Sequence, residues 1–305
     1  MTRNDFNYLL LLGLLRCIAF LPLRFLYLIS DFISFILHKV IKYRVSVVRK
    51  NLQSSFPDKD TKELRSIERE FYRNLCDVFI EAIKLLHISD SELSKRIRTE
   101  NIDLLKQECD KSGSVILFLG HFGNWEWVPD ITLHEDNSLL LGELYKPLRN
   151  KVMDRLMNRI RSRFRSVQIV HRTAYRKLLG YKRSGIPFVV GFIADQRPVG
   201  QPLHHWTTFM NQPTAFMTGG ETIGSKIGSS YVYVEMHREK RGCYRMIFSK
   251  MIPDANDNYP FPYTRLFLSK LEDSIRRSPS SWLWSHNKWK SRKPEDVDLI
   301  PPAQR

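Results

Sequence analysis

The segment from Gly120 to Glu126 (GHFGNWE) holds the residues whose types and spacing best fit a chemical role. It follows the apolar run VILFL and opens a predicted helix, which Asn124 can cap; Asn124 is also a candidate substrate contact. Glu126 can fold back to accept a hydrogen bond from one imidazole nitrogen of His121, which fixes the tautomer and stabilises the imidazolium. The other nitrogen is then free to take a proton. This pattern predicts that His121 is a general base and Glu126 its partner.

A positioned base of this kind suits attack by a hydroxyl on an acyl thioester, because a hydroxyl is a weak nucleophile at neutral pH. No Ser or Cys stands in a nucleophile motif such as GxSxG, so we expect direct transfer in a ternary complex without an acyl-enzyme. The alternative is structural: His121 caps the end of a strand, and Glu126 pairs with a nearby Lys or Arg.

Two further polar clusters follow predicted strands and are candidate substrate-binding sites. Lys146 and Arg149 could hold an acceptor phosphate or steady the negative charge on the thioester oxygen during attack. Asp195, Gln196 and Arg197 end the apolar run PFVVGFIA, at the edge of the predicted sheet where ligands bind in α/β proteins. They could position the substrate or support the catalytic residues. The alternative for the basic pair is a solvated surface.

No metal site is predicted. His204 and His205 are adjacent, would face opposite ways on a strand, and have no carboxylate or Cys at ligand spacing. The four cysteines are scattered without a CxxC pair, which also argues against a disulfide scaffold. We expect no cofactor.

Two aromatic segments have two possible interpretations each. The segment from Trp206 to Met217 could form a wall for an acyl chain, or it could be ordinary core packing. Trp282, Trp284 and Trp289 could lie at a membrane interface, or they could dock onto the domain.

The elements that must position these residues follow an α/β pattern. Tyr43 to Ile88 has helical periodicity, and beyond it short runs rich in Val, Ile and Leu alternate with helical segments. This alternation predicts an α/β fold with a mixed, mostly buried sheet flanked by helices. The predicted strands are Ser114–Leu119, Ser138–Leu141, Ser166–Val170, Pro187–Ile193, Tyr231–Val234 and Tyr244–Phe248.

The N-terminus predicts an apolar helical membrane anchor, with a buried core helix as the alternative. From Tyr8 to Ile41 the chain is rich in Leu, Ile and Phe, but charged residues interrupt it before the roughly 18 apolar residues of a spanning helix are reached. Polar residues recur after Pro22 on one side of a predicted helix, so this helix can lie in the membrane interface with its basic residues among the headgroups. These polar residues are Arg24, Asp31, His38 and Lys42.

The charge balance narrows the class of partner. Lys and Arg total 48 against 32 Asp and Glu, a net charge of +16, which favours phosphates in either nucleic acid or anionic lipid. A non-enzymatic basic membrane- or nucleic-acid-binding protein is therefore one reading. We expect no nucleic-acid partner, because no helix-turn-helix, zinc finger or RNA-binding signature is present.

The whole pattern divides the chain into residues 1–45 as membrane anchor or interfacial helices, 46–292 as catalytic domain and 293–305 as a loosely held tail.

With these motifs in view, the chain resembles the lipid A secondary (late) acyltransferases within the lysophospholipid acyltransferase superfamily. The resemblance runs over nearly the whole chain, in motifs that keep their order. They are Tyr43-Arg44, Asn51-Leu52, Phe56-Pro57, the GHFGNWEW block, Tyr145-Lys146-Pro147 with Asn150, Asp195-Gln196, Phe209 to Ala215, Trp282-Leu283-Trp284-x-His286 and Trp289-Lys290. Lys146 stands where related enzymes often carry Arg, and it offers a point charge in place of a two-pronged fork.

The resemblance implies a glycerol-3-phosphate acyltransferase-like fold and acyl transfer from acyl carrier protein, or acyl-CoA, to the hydroxyl of a 3-hydroxyacyl chain on a lipid A precursor. The family's His-x-x-x-x-Asp/Glu motif falls on His121 and Glu126. The implied location is the bacterial cell inner membrane with the catalytic domain on the cytoplasmic side, in contact with membrane lipids, and we expect a monomer. An alternative with the same chemistry has a lysophospholipid or aminolipid as acceptor.

Overall fold

The computed structural model describes residues 3–134, 138–198 and 203–303. The outermost residues of the predicted anchor and tail, 1–2 and 304–305, lie outside this part. The helices of the described residues are α1 (Arg3–Phe20), α2 (Leu23–Phe35), α3 (Val45–Ser55), α4 (Thr61–Lys84), α5 (Asp90–Ser94), α6 (Asp103–Ser112), α7 (Ile131–His134), α8 (Lys151–Arg161), α9 (Ala174–Arg183), α10 (Gly219–Ile227) and α11 (Pro262–Arg277). The strands are β1 (Ile97–Glu100), β2 (Ser114–Leu119), β3 (Leu140–Tyr145), β4 (Val167–Val170), β5 (Phe188–Ile193), β6 (Trp206–Phe209), β7 (Gln212–Ala215), β8 (Ser230–Lys240), β9 (Cys243–Lys250) and β10 (Leu299–Ile300).

Seven strands form one mixed sheet in the order β1-β9-β8-β2-β5-β3-β4. All neighbouring pairs are parallel except β8 and β9, which form an antiparallel hairpin. The predicted α/β class with a mostly buried sheet is confirmed, and each of the six predicted strands corresponds to a strand of this sheet. β1 was not predicted, because its sequence IRTE has no apolar run.

The central strand β2 is buried at all six positions, because helices cover both faces of the sheet. Alternate side chains of a strand point to opposite faces. Accordingly, Ile116 and Phe118 pack into one apolar cluster with α10 and α11, while Leu117 and Leu119 pack into a second one with α6 and α8. This rigid strand carries the Gly120–Glu126 segment at its carboxyl end.

The helix α4 links the N-terminal region to the domain. It begins at a capping box in which Asp60 Oδ1 accepts a hydrogen bond from the Glu63 amide at 2.8 Å and Glu63 accepts one from the Asp60 amide at 3.0 Å. The helices α1 and α2 both pack against α4, and the chain then passes through a short π-helical stretch, Ile36–Val40. The helical entry region predicted for Tyr43 to Ile88 is confirmed.

No single helix among the described residues is long and apolar enough to cross a membrane, although Asn4–Phe20 and Leu23–Val40, bent by 117°, pass that test as a pair. Asp31 forms an ion pair with Arg241 at 2.8 Å, and His38 contacts Glu68 at 2.7 Å. The prediction that the basic residues of this helix lie among headgroups is therefore wrong for His38, which is buried against the protein. Large apolar side chains are exposed instead: Phe6, Leu10, Leu14, Phe20, Leu28, Phe32, Phe35, Val40 and Ile41.

The C-terminal segment is held more firmly than its sequence predicts. β10, within the predicted loose tail, pairs with β6 of a small three-stranded sheet, and Arg265 Nη1 donates to the carbonyl oxygen of Pro301 at 2.9 Å. Trp282 and Trp284 are buried, so they dock onto the domain and do not lie at a membrane interface. Phe209 and Trp206 are buried in the core, as the packing alternative predicted.

Candidate active site

His121 and Asp195 lie at the carboxyl ends of two neighbouring parallel strands. His121 is two residues beyond β2 and Asp195 is two residues beyond β5, and the register pairs Leu119 with Ile193. Because parallel strands end at the same edge of a sheet, the two side chains meet there. The sequence singled out both residues, but it did not pair them.

The loop after β2 is fixed by the C-terminal segment. The carbonyl oxygen of His121 accepts a hydrogen bond from the Leu283 amide at 3.1 Å, and the Gly123 amide donates to Ser281 O at 2.9 Å. Gly123 has φ +62°, and a Cβ at this position would come within 1.8 Å of the carbonyl oxygen of Met236. Only glycine fits this turn, which holds His121 in place.

The imidazole of His121 and the carboxylate of Asp195 form a hydrogen-bonded dyad with Nδ1 and Oδ1 2.7 Å apart. The other oxygen, Oδ2, accepts hydrogen bonds from the His121 amide at 2.9 Å and from Trp282 Nε1 at 2.8 Å. Burial raises the pKa of Asp195, but the charge and hydrogen bonds of His121, together with the charge of Lys288, outweigh it and hold this pKa well below its usual range. Asp195 is therefore ionised at neutral pH.

The tautomer of His121 follows from this geometry. An ionised carboxylate can only accept, so the proton between the two groups belongs to Nδ1. Nε2 is left with a lone pair. This nitrogen lies 3.2 Å from the side-chain amide nitrogen of Gln196. The ring is 16% exposed, so this nitrogen is placed to take a proton from a molecule that enters the site.

Two basic side chains, Lys288 and His286, lie close to Asp195. Lys288 Nζ donates to the backbone oxygen of Asp195 at 2.5 Å. Burial lowers the pKa of Lys288 to about 8, against the opposing charge of Asp195. Burial and the neighbouring Lys288 charge lower the pKa of His286 to about 4, so His286 is neutral, and its Nε2 accepts a hydrogen bond from the Arg197 amide at 3.1 Å.

The hydrogen-bond partner that the sequence predicted for His121 is a different residue in the structure. Glu126 faces Arg161 in a two-pronged ion pair with distances of 2.8 and 3.1 Å, and Asp195 takes the place beside the imidazole. The reason is local: Trp125–Asp130 forms a 3-10 helix, so Glu126 does not fold back as it would in a first α-helical turn. The alternative that Glu126 pairs with a nearby Arg is the observed contact.

An apolar cavity begins beside the dyad, where the Trp125 ring contacts the His121 ring edge-on at 5.2 Å between centroids. Its volume is about 90 Å³. The lining is mainly apolar and includes Leu117, Val128, Ile131, Leu141, Val189 and Ile193. The Glu126–Arg161 pair lies on its wall together with Glu143, whose pKa is raised by burial.

Asn124 does not cap the helix as predicted. Its side chain makes no cap hydrogen bond and donates instead to the buried carboxyl group of Glu81 at 2.6 Å. Tyr27 and Tyr244 also donate to Glu81, and burial raises the pKa of this carboxyl. Asn124 thus ties the loop that carries His121 to α4. A contact between Asn124 and substrate stays a prediction.

The remaining candidates divide into two places. Gln196 lies at the dyad, and Arg197 lies beside it, with Nη1 donating to Ser291 Oγ at 2.9 Å. Lys146 and Arg149 are exposed after β3, and their roles stay predictions. Among the described residues, no group of three or more His, Cys, Asp or Glu could hold a metal ion.

Three residues of the site escaped the sequence analysis in these roles. Trp282 and Lys288 contact Asp195 from the C-terminal segment, and Arg161 pairs with Glu126 from α8. The motif Trp282-Leu283-Trp284-x-His286 was visible in the sequence, but nothing in its spacing shows that it folds against the end of β5.

Comparisons with known proteins extend over nearly the whole chain. The model of the family described as bacterial lipid A biosynthesis acyltransferase matches residues 3–291. A lipid A biosynthesis palmitoleoyltransferase of Escherichia coli (strain K12) is 25% identical over 291 residues, covering 92% of this chain and 90% of that relative. A lipid A biosynthesis acyltransferase of Shigella flexneri has the same identity and coverage.

Proposed function

The chain belongs to the bacterial lipid A biosynthesis acyltransferase family, and from this premise we propose that it transfers a fatty acyl group to the hydroxyl of a 3-hydroxyacyl chain on a lipid A precursor. We propose acyl carrier protein, or acyl-CoA, as the donor. The resemblance of the motifs in the sequence had suggested the same family, and that identification is confirmed.

The single observation that carries the mechanism is the 2.7 Å contact between His121 Nδ1 and Asp195 Oδ1. This contact leaves His121 Nε2 as the base. The acceptor hydroxyl would take the place of the Gln196 side-chain amide beside this nitrogen. As the hydroxyl oxygen attacks the thioester carbonyl carbon, Nε2 takes the hydroxyl proton and Asp195 stabilises the imidazolium. The C–O ester bond forms, the C–S bond breaks, and the imidazolium returns the proton to the leaving thiolate.

We propose that the acyl chain of the donor lies in the apolar cavity beside Trp125. The cavity starts next to the base and is lined by aliphatic side chains, which favour a hydrocarbon chain over water. Glu126 would act here through Arg161, whose position on the cavity wall it fixes by their ion pair. In this proposal Glu126 is a positioning residue and Asp195 takes the role beside the base.

Membrane attachment is proposed from the exposed apolar side chains of α1 and α2. Monomeric soluble proteins rarely expose apolar patches of such extent, and patches of this kind mark membrane or protein contacts. We propose that these helices hold the enzyme at the cytoplasmic face of the bacterial inner membrane as a monomer. The net charge of +16 suits both anionic lipid and an acidic carrier protein. The proposed reaction requires no cofactor.

The test combines a purified enzyme with analysis of lipids from the host. Mass spectrometry of lipid A and polar lipids, with and without the protein, should show one secondary acyl chain on lipid A that disappears with the protein. The purified enzyme should acylate a lipid A precursor, and His121→Ala should lower kcat by a factor on the order of 10² to 10⁴ while the protein remains folded. An unchanged lipid A with an altered lysophospholipid or aminolipid pool would replace the proposed acceptor.

A further inference from the structure

A concave basic pocket lies next to the dyad, lined by Arg44, Arg197, His286 and Lys290. Arg44 belongs to the turn before α3, Arg197 directly follows Gln196, and Lys290 ends a C-terminal 3-10 segment. Three distant parts of the chain therefore bring three cationic side chains together. The fold brings these three charges together from positions 44, 197 and 290, which are far apart in the sequence.

These cations are not neutralised by carboxylates. Arg44 Nη1 donates to the backbone oxygen of Ser285 at 2.9 Å, and Arg197 Nη1 donates to Ser291 Oγ at 2.9 Å, so both contacts are with neutral groups. Within residues 3–134, 138–198 and 203–303, no ion pair involves Arg44, Arg197 or Lys290. Three positive charges held together without an anion favour a bound anion.

Arg44 lies in a turn with an unusual backbone conformation. Arg44 has φ 52° and Lys42 has φ 53°, a left-handed conformation that non-glycine residues rarely adopt. The surrounding structure maintains this turn, since Tyr72 donates from its hydroxyl to the Tyr43 carbonyl oxygen at 2.6 Å. Strain of this kind clusters at ligand-binding positions.

An open apolar groove continues from this pocket to the dyad and shares Arg44 and His286 with it. Gln196, which contacts His121, lines its inner part. Its apolar walls come from the end of α2 and from α4, and Phe79 stands 58% exposed within it. The lining therefore changes from cationic to apolar along a path that passes the base.

We propose that the basic pocket binds a phosphate of the lipid acceptor, while the acceptor's hydroxyacyl chain lies in the adjoining groove with its hydroxyl at His121 Nε2. This assignment rests on the proposed function and adds the site that recognises the acceptor. Arginine forks match phosphate oxygens in two-pronged contacts, and a groove that joins cations to apolar walls fits a phosphorylated lipid. The donor chain occupies the separate cavity beside Trp125.

The first test compares acceptors that differ only in phosphate. Arg44→Gln and Arg197→Gln should each raise the KM for the phosphorylated acceptor on the order of tenfold, because each removes a charged hydrogen bond. The kcat and the KM for the acyl donor should stay within about twofold. For the acceptor that lacks the bound phosphate, the wild-type enzyme should already have this higher KM. Neither Arg44→Gln nor Arg197→Gln should raise the KM for that acceptor further.

Three variants serve as controls for this comparison. Arg98→Gln removes an exposed cation from the edge strand β1 and should change neither KM. Phe79→Ser removes apolar area from the groove and should raise the KM for phosphorylated and dephosphorylated acceptors alike. Arg44→Lys keeps the charge and should recover part of the loss, which separates lost phosphate binding from a disturbed turn.

Equilibrium binding separates this proposal from the catalytic one. In a His121→Ala background, the phosphorylated lipid in detergent micelles should bind more weakly when Arg44→Gln or Arg197→Gln is added. If these variants bound the lipid more weakly but the wild-type enzyme showed no turnover, the phosphate site would be retained and the acyl transfer rejected. Inorganic phosphate that competes fully with the lipid at its own dissociation constant would identify a site for free phosphate instead. If Arg44→Gln or Arg197→Gln raised the KM equally for both acceptor forms, or raised only the KM for the donor, the phosphate assignment would be overturned.

Discussion

The imidazole of His121 and the carboxylate of Asp195 face each other across the ends of two parallel strands, with 2.7 Å between Nδ1 and Oδ1. The second oxygen of Asp195 is occupied by two N–H donors, the His121 amide and Trp282 Nε1. The orientation of the carboxylate is therefore fixed independently of the imidazole.

This orientation predicts a strong effect of Asp195→Asn. The two N–H donors require an oxygen, so the new amide nitrogen must face the imidazole and donate to Nδ1. The proton then moves to Nε2, which can no longer act as a base. We expect kcat to fall by a factor on the order of 10³ to 10⁴ with little change in the acceptor KM, measured by steady-state kinetics. A wild-type kcat in a folded variant would reject Asp195 as the partner of the base.

The ion pair of Glu126 and Arg161 is mostly buried, with 11% and 23% of the side chains exposed. Removing either partner leaves an uncompensated charge, which costs roughly 3 kcal/mol of unfolding free energy. Glu126→Ala and Arg161→Ala should lower stability and activity alike, and the double variant should lose less than the two losses combined. The measurement is a double-mutant cycle of urea unfolding and turnover. If Glu126→Ala reduced kcat and Arg161→Ala did not, Glu126 would act on His121 directly.

Gly191 offers a position for changing the preferred acyl length. It lines the apolar cavity, and a Cβ there would make ordinary contacts at 3.6 Å with Leu119 and 3.8 Å with Gly142. Gly191→Val suits a β-strand and takes space from the cavity. With a mixture of acyl donors, mass spectrometry of the product should show a shift toward shorter chains. An unchanged chain length would place the donor chain outside this cavity.

Lys288 predicts a pH dependence of stability. Its ordinary pKa of 10.5 is lowered by burial to about 8, so below pH 8 both folded and unfolded chains hold the proton and burial of the charge is a full cost. Between about pH 8 and 10.5 only the unfolded chain holds it, so the free energy of unfolding rises with pH. Relative to Lys288→Met, the wild type should gain roughly 3 kcal/mol across this window in denaturant unfolding. If the free energies of unfolding of the wild type and Lys288→Met changed equally with pH, the prediction would be wrong.

Gly123 predicts a steric effect on the loop that carries His121. Its φ of +62° and the 1.8 Å distance that an added Cβ would have to Met236 O leave no room for a side chain. Gly123→Ala should lower the free energy of unfolding by about 3 kcal/mol or more and reduce turnover, as measured by thermal unfolding and assay. The control is Gly180→Ala in α9, where nothing lies within 4 Å, which should stabilise by roughly 0.5–1 kcal/mol. Equal effects of the two changes would contradict the steric argument.

The sequence by itself determined the fold class, most of the central sheet and the candidate base His121. An apolar run such as Ser114–Leu119 predicts a buried strand because the pattern lies within a few consecutive residues. The GHFGNWEW block can likewise be recognised from its own eight residues. The family was likewise readable from motifs that keep their order along the chain.

Only the tertiary structure decided which carboxylate lies beside His121. Glu126 is five residues away but faces Arg161, whereas Asp195 is 74 residues away and meets the imidazole because β2 and β5 are neighbours. The same holds for Trp282, Lys288 and the cations around Arg44. Strand order and the docking of the C-terminal segment depend on packing between distant residues, and local spacing contains no information about such contacts.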